Sequence, residues 1–195
     1  MPRTKEAFRQ IRDERKEQIL HIAAVVFASK GIASTKIEDL AEAAGVSQGL
    51  LYRYFANKEG VFAELLERAA QGAVKLAQAA LNYPGTPWER LRWMTEQFLQ
   101  GMSQEPTYYQ LISQALALSG RTHEILHEME DMREALHQLV VEGQAVGQVS
   151  ERDPDQLVLL YFCCLYGLAA GMALSSNELT AHFPDADAVI QILKP

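Results

Sequence analysis

The stretch Thr35-Lys36-Ile37-Glu38-Asp39-Leu40-Ala41-Glu42-Ala43-Ala44-Gly45-Val46-Ser47-Gln48-Gly49-Leu50-Leu51-Tyr52-Arg53-Tyr54-Phe55 decides the fold of the N-terminal part of the chain. Thr35 and Glu38 have capping-box spacing, in which hydroxyl and carboxylate satisfy each other's orphan amides. Ile37, Leu40, Ala41 and Ala44 then fall on one face of a short helix. Gly45 tolerates positive φ and permits a sharp turn. Val46 plugs the corner, and Ser47 is placed to cap the next helix. A helix over 48–55 turns Leu51 and Phe55, four residues apart, toward the core together. Two short helices joined by a glycine turn form a helix-turn-helix arrangement.

The outward face of that second helix presents Gln48, Gly49, Tyr52 and Arg53. Glutamine pairs bidentately with adenine, and arginine with guanine, in a major groove. Gly49 lets the backbone come close, and the hydroxyls of Tyr52 and Tyr54 suit phosphates. Asn57 is a good cap for the following helix, which places Lys58 in its first turn. A cation there opposes the helix dipole, and a docked phosphate would reverse the sign. The competing reading is a solvated lysine offset by Glu59.

Working outward, the rest of the chain also reads helical. Ile19, Ile22, Ala23, Val26 and Phe27 form one apolar stripe, stopped at Gly31. The spacing predicts helices at about 8–30, 36–44, 48–55, 58–81, 88–103, 107–118, 122–145, 155–176 and 185–193. No stretch alternates as a strand does. The expected fold class is all-α, with a DNA-reading domain over 1–60 and a larger helical domain over 61–195. Residues 1–60 carry ten Lys/Arg against eight Asp/Glu, whereas 61–195 carry eight against seventeen. A weakly basic head on an acidic body suits a small nucleic-acid reader on a non-binding partner domain. Residues 1–11 are basic without a strong apolar stripe and are expected to be flexible without DNA. They lack the apolar core of a signal peptide. The only two cysteines, Cys163 and Cys164, are adjacent, which fits a reducing cytosol and excludes a disulfide framework.

Thr35-x-x-x-Asp39-Leu40-Ala41-x-x-Ala44-Gly45-Val46-Ser47-x-Gly49-x-Leu51-Tyr52-x-Tyr54-Phe55-x-x-Lys58-Glu59 closely resembles the DNA-binding domain of the tetracycline-repressor family. The resemblance covers about residues 15–65. It implies a cytoplasmic, dimeric, one-component transcriptional regulator, usually a repressor, with a ligand domain from about residue 66. Carried across position by position, it implies DNA contacts from Thr35, Ser47, Gln48, Gly49, Leu50, Tyr52, Arg53, Tyr54 and Lys58. Position 50 is often threonine in the family. Leu50 cannot hydrogen-bond, so apolar contact with a thymine methyl, or none, is expected there.

Residues 157–174 are eighteen positions without a charge, the length of a membrane span. Their flanks hold Asp153, Asp155 and Glu178 against Arg152 alone, so positive-inside anchoring is missing. A helix apolar all round is otherwise buried on every side. Cys163, Gly167, Gly171 and Ser175 recur every four residues and form a seam that admits a second helix closely. Two readings stand, a homodimer interface and an intramolecular core helix. For an effector, Trp93, Gln97, Phe98, Met102, Tyr109, Gln114, Phe162 and Tyr166 combine aromatic walls with a few polar handles. The same residues at helical spacing also read as core. His123, His127, Glu130, Glu134 and His137 share a face of the 122–145 helix, where His at i and i+4 can chelate a metal. A solvated polar face fits them better, and no metal or cofactor is expected. No nucleophile triad, Walker loop or dinucleotide fingerprint appears, so no enzyme is expected. The expected function is a ligand-released repressor that binds a pseudo-palindromic operator as a homodimer. The alternative is a ligand-independent architectural or interaction protein using the same head.

Overall fold

A computed structural model describes residues 5–111, 130–174 and 182–195 of the 195-residue chain. Among the described residues every regular element is helical. Chain contacts divide the molecule after Leu66.

The first unit holds α1 (Lys5–Lys30), α2 (Ile37–Ala43), α3 (Gln48–Leu51) and the opening turns of α4 (Lys58–Leu81). Ile19, Leu20, Ala23, Ala24 and Phe27 of α1 are buried with Leu40, Ala41, Leu51, Phe55, Val61 and Leu65. The buried face of α1 is rotated slightly from the predicted stripe, since Leu20 and Ala24 replace Ile22 and Val26 at its centre. The Phe27 and Phe62 rings meet edge to face at 5.6 Å. Lys16 and Glu64 pair at 2.6 Å. These contacts hold the first turns of α4 in the head, so the division falls after Leu66 instead of at residue 60.

The second unit holds the rest of α4, α5 (Pro87–Gln104), a helical segment over 106–111, α6 (Glu130–Ala145), α7 (Pro154–Leu174), α8 (Ala186–Ile190) and a closing 3-10 turn, Gln191–Leu193. Thr86 caps α5 through the Glu89 amide, the Glu89 carboxylate returns to the Thr86 amide, and Pro87 sits in the first turn. Asp153 caps α7 through the Gln156 amide, as the Asp-Pro pair predicts. Leu91, Met94, Met102, Leu136, Leu139, Leu157, Tyr161, Leu165, Val189, Ile190 and Leu193 form the core. Arg92 holds Asp187 at 2.9 Å, and Arg152 donates to the Ile192 carbonyl, tying the C-terminal helix down.

Candidate nucleic-acid interface

The turn between α2 and α3 is built as the glycine predicts. Gly45 has φ +62. Its amide donates to the Glu42 carbonyl and the Val46 amide to the Ala41 carbonyl, a Schellman closure of α2. Ser47 Oγ accepts from the Leu50 amide at 3.2 Å. The helix expected over 48–55 is shorter. α3 has four residues, after which the Arg53 and Tyr54 amides bond three residues back, to Leu50 and Leu51. The tightening still leaves Leu51 and Phe55 buried. Gln48, Gly49, Tyr52 and Arg53 are exposed, and Leu50 and Tyr54 are half-buried. A Cβ at Gly49 would meet nothing within 4 Å, so the backbone is open to a ligand.

Two sequence-predicted contacts are corrected. Thr35 is 1% exposed, and its hydroxyl donates to the Gly31 carbonyl at 2.8 Å. It closes the turn after α1 and faces away from solvent. The helix-start pair is consequently not Thr35 with Glu38. The Lys36 amide donates to Asp39 Oδ2 at 2.8 Å, and Lys30 lies 3.4 Å from the same carboxylate. The Lys36 amide, then nearby Lys30, holds the Asp39 carboxyl below the usual carboxylate range. Lys58 is the second correction. Its ammonium donates to the carbonyls of Ile32 at 2.8 Å, Ala33 at 3.1 Å and Thr35 at 2.7 Å. An ammonium has three donors, and all three are engaged inside the head. Backbone carbonyls of the head relieve the oddly placed cation. Asn57 does cap this helix, through the Gly60 amide at 2.8 Å.

The N-terminal arm is also corrected. From Lys5 onward it is the start of α1, an extension that leaves Phe8 and Ile11 exposed. This brings in a residue that reading the turn alone misses. The Arg12 guanidinium lies over the Tyr54 ring, 5.9 Å from its centre. The available signal was spacing, because Arg12 precedes Lys16 by one turn and Lys16 lies over the neighbouring ring of Phe55.

The body residues are scattered by comparison. Met102 is sealed in the core. Trp93 stacks on Tyr83 at 4.7 Å, Phe98 meets Tyr109 edge to face, and Phe162 stacks on Tyr166. Gln97 is half-buried, and Gln114 lies outside the described residues. Burial pushes the Tyr109 hydroxyl above its ordinary range and that of Tyr166 to about 12. A separate open groove of about 450 Å³ runs along α4, lined by Glu67, Gln71, Val74, Lys75 and Gln78, with Asp131 of α6. None of the seven predicted pocket residues that are described lines it. The sequence also missed a buried polar pair. Thr95 donates to the Leu91 carbonyl, so Tyr161 donates to Thr95, at 2.8 Å. Cys163 and Gly167 of the predicted seam are exposed, and a Cβ at Gly167 or Gly171 would meet nothing within 4 Å. Ser175, His123 and His127 lie outside the described residues. Glu130 is engaged by Arg133 at 2.6 Å, and His137 is 3.9 Å from Asp155. Among the described residues, no cluster of three metal-binding side chains forms.

Residues 19–65 match the family described as bacterial regulatory proteins, tetR family. The match is confined to the head, the unit that carries α1 to α3 and the start of α4. The HTH-type transcriptional activator FasR of Mycolicibacterium smegmatis is 32% identical over 101 residues, 52% of this chain and 46% of FasR. The repressor KstR2 of Mycobacterium tuberculosis is 32% identical over 80 residues, 41% of this chain and 40% of KstR2. The matches thus span less than half the length of these relatives. A solved SmeT–triclosan complex superposes with a TM-score of 0.72 at 22% identity, covering 93% of this chain and 92% of SmeT. That likeness shows a shared helical fold over nearly the whole chain.

Proposed function

We propose that the protein is a dimeric transcriptional regulator of the repressor type, which reads a pseudo-palindromic operator and is released by a small molecule. The observation that carries the reading is the outward face of α3. Gln48 and Arg53 stand exposed beside an unobstructed Gly49, on a scaffold locked from behind by Leu51 and Phe55. Ser47, Gln48, Gly49, Leu50, Tyr52, Arg53 and Tyr54 are the proposed DNA-facing set. Thr35 and Lys58 hold the set in place. Two heads on a dimer would read half-sites about 34–36 Å apart, or a multiple of that.

The dimer reading rests on α7. Only 28% of the stretch Pro154–Gly171 is buried. Leu157, Val158, Tyr161, Leu165 and Ala169 face the core, while Leu159 and Leu160 are exposed on the side that also carries Cys163 and Gly167. Such an apolar face in a water-soluble regulator calls for a cover, and a second copy of α7 supplies one. The effector reading rests on the half-buried rings of Phe98, Tyr109, Phe162 and Tyr166. The Tyr109 hydroxyl has no hydrogen-bond partner among the described residues. Apolar walls with a free hydroxyl suit a moderately apolar molecule, and SmeT is the relative solved with triclosan. An effector acts only if it binds the DNA-competent and released states with different affinity.

Selection from a random duplex library tests the central claim. The expected product is an inverted repeat, and Arg53→Ala should relax it at specific positions by about 1–3 kcal/mol. Enrichment of no sequence, or of a single unrepeated site, would overturn the reading.

A further inference from the structure

We propose that Arg12 and Tyr54 together form a phosphate-binding site at the edge of the reading face. The inference rests on the DNA reading above and adds a contact from α1, outside the helix-turn-helix. The cations of the head divide by what neutralises them. Lys16 pairs with Glu64 at 2.6 Å, Lys30 lies 3.4 Å from Asp39, and Arg9 lies 4.0 Å from Asp13. Lys58 is engaged by three carbonyls. Arg15 donates to the neutral Gln18. Arg12 has no carboxylate or carbonyl partner among the described residues, yet it is directed, since its guanidinium lies over the Tyr54 ring.

The comparison with Lys16 is internal to the same helix face. One turn further along α1, Lys16 lies over Phe55 and meets an acid there. Phe55 is buried, has no hydroxyl and belongs to the core. Arg12 lies over a half-buried tyrosine whose hydroxyl has no hydrogen-bond partner among the described residues. Ring and guanidinium therefore offer an unpaired charge and an unpaired O–H side by side. A guanidinium presents a planar fork that matches phosphate oxygens, and stacking on a ring pre-orients that fork. The ligand chemistry is a phosphodiester oxygen of duplex DNA flanking the groove that α3 reads. Such a contact carries no sequence information but fixes orientation on the duplex.

The test uses the full chain and a 30-base-pair duplex of mixed sequence, with binding measured by anisotropy across a salt series. Arg12→Ala should reduce the salt slope by about 0.9 for each Arg12 engaged. The loss of affinity should be equal on every sequence, with an unchanged melting temperature because the side chain is exposed. Arg12→Lys should keep the slope and lose part of the affinity, because an ammonium carries the charge without the fork. Tyr54→Phe keeps the ring and should weaken binding while leaving the slope intact. If Arg12→Ala binds with wild-type slope and affinity, this inference is wrong and the α3 reading stands. If the wild type shows no salt-dependent binding at all, the DNA reading fails and takes this site with it.

Discussion

The two units order polar groups by different means. In the head, side chains lock onto nearby backbone. Thr35 holds the Gly31 carbonyl, Asp39 the Lys36 amide, Ser47 the Leu50 amide and Lys58 three carbonyls. Helices of seven and four residues are too short to persist alone, so these locks and a small core must hold them. In the body, α5, α6 and α7 are long enough to define one another through shared apolar faces. The buried Thr95–Tyr161 pair is a polar exception in that core. The difference separates two ways of serving function. The head fixes its outer face by local bonds made behind it, which frees that face to touch a ligand. The body leaves an apolar surface on α7 exposed, at Leu159 and Leu160.

The largest expected effect tests that uncovered surface. Gly167→Leu places a bulky side chain where the single chain has open space, so the subunit itself should fold normally. If α7 meets its symmetry mate there, the overpacking costs about 1–3 kcal/mol at each contact, and the two-fold axis repeats it. Sedimentation at micromolar concentration should then show a shift toward monomer with helicity kept. A variant that remains dimeric would move the interface off the Cys163–Gly167 seam.

The Lys58 lock comes next. Lys58→Met keeps the stem and removes three charge-assisted hydrogen bonds, each worth about 1.5–3 kcal/mol net in favourable cases. Their effects overlap, so a total loss of about 2–4 kcal/mol is expected. Chemical denaturation should report it, and the salt slope of DNA binding should be unchanged. A reduced slope with unchanged stability would restore Lys58 as a phosphate contact.

That lysine also shows how far the chain could be read in advance. The helix-turn-helix was legible because its signals are local: a glycine with positive φ, a serine cap and two apolar residues four apart. Lys58 was legible as an anomaly, but its resolution was not, since its acceptors are 23 to 26 residues away in sequence. Thr35 was misassigned for a related reason. Both Thr35 and Asp39 have capping chemistry, and only the folded turn decides that the hydroxyl points back to Gly31 while the carboxylate meets Lys36. In the body, an aromatic at helical spacing carries the same pattern whether it lines a cavity or fills a core. Met102 turned out to be core, and Phe98 with Tyr109 a half-buried pair.

A smaller effect probes the body's polar exception. Thr95→Val leaves the Tyr161 hydroxyl buried without an acceptor, which costs about 1–3 kcal/mol. Tyr161→Phe removes the donor, while Thr95 keeps its bond to Leu91, so about 0.5–1.5 kcal/mol is expected. Equal losses in thermal melts would mean that the hydroxyl finds a second partner once Thr95 is gone.

The smallest effect is the pH dependence of the head's first lock. The Lys36 amide is the main cause of the lowered Asp39 pKa, with Lys30 assisting. A carboxylate whose folded pKa lies below its unfolded value binds fewer protons when folded, so its contribution is present above the unfolded value, about pH 3.9. The contribution falls away as pH drops through the folded value. Asp39→Asn removes the charge and keeps an acceptor for the Lys36 amide. The wild type should therefore be the more stable of the two near neutral pH, with the gap closing as pH falls below 4. Urea melts of both proteins from pH 6 to pH 3 would follow it. A gap that widens toward acid would mean the carboxylate is destabilised in the folded head, and that the Lys36 amide is not what holds it.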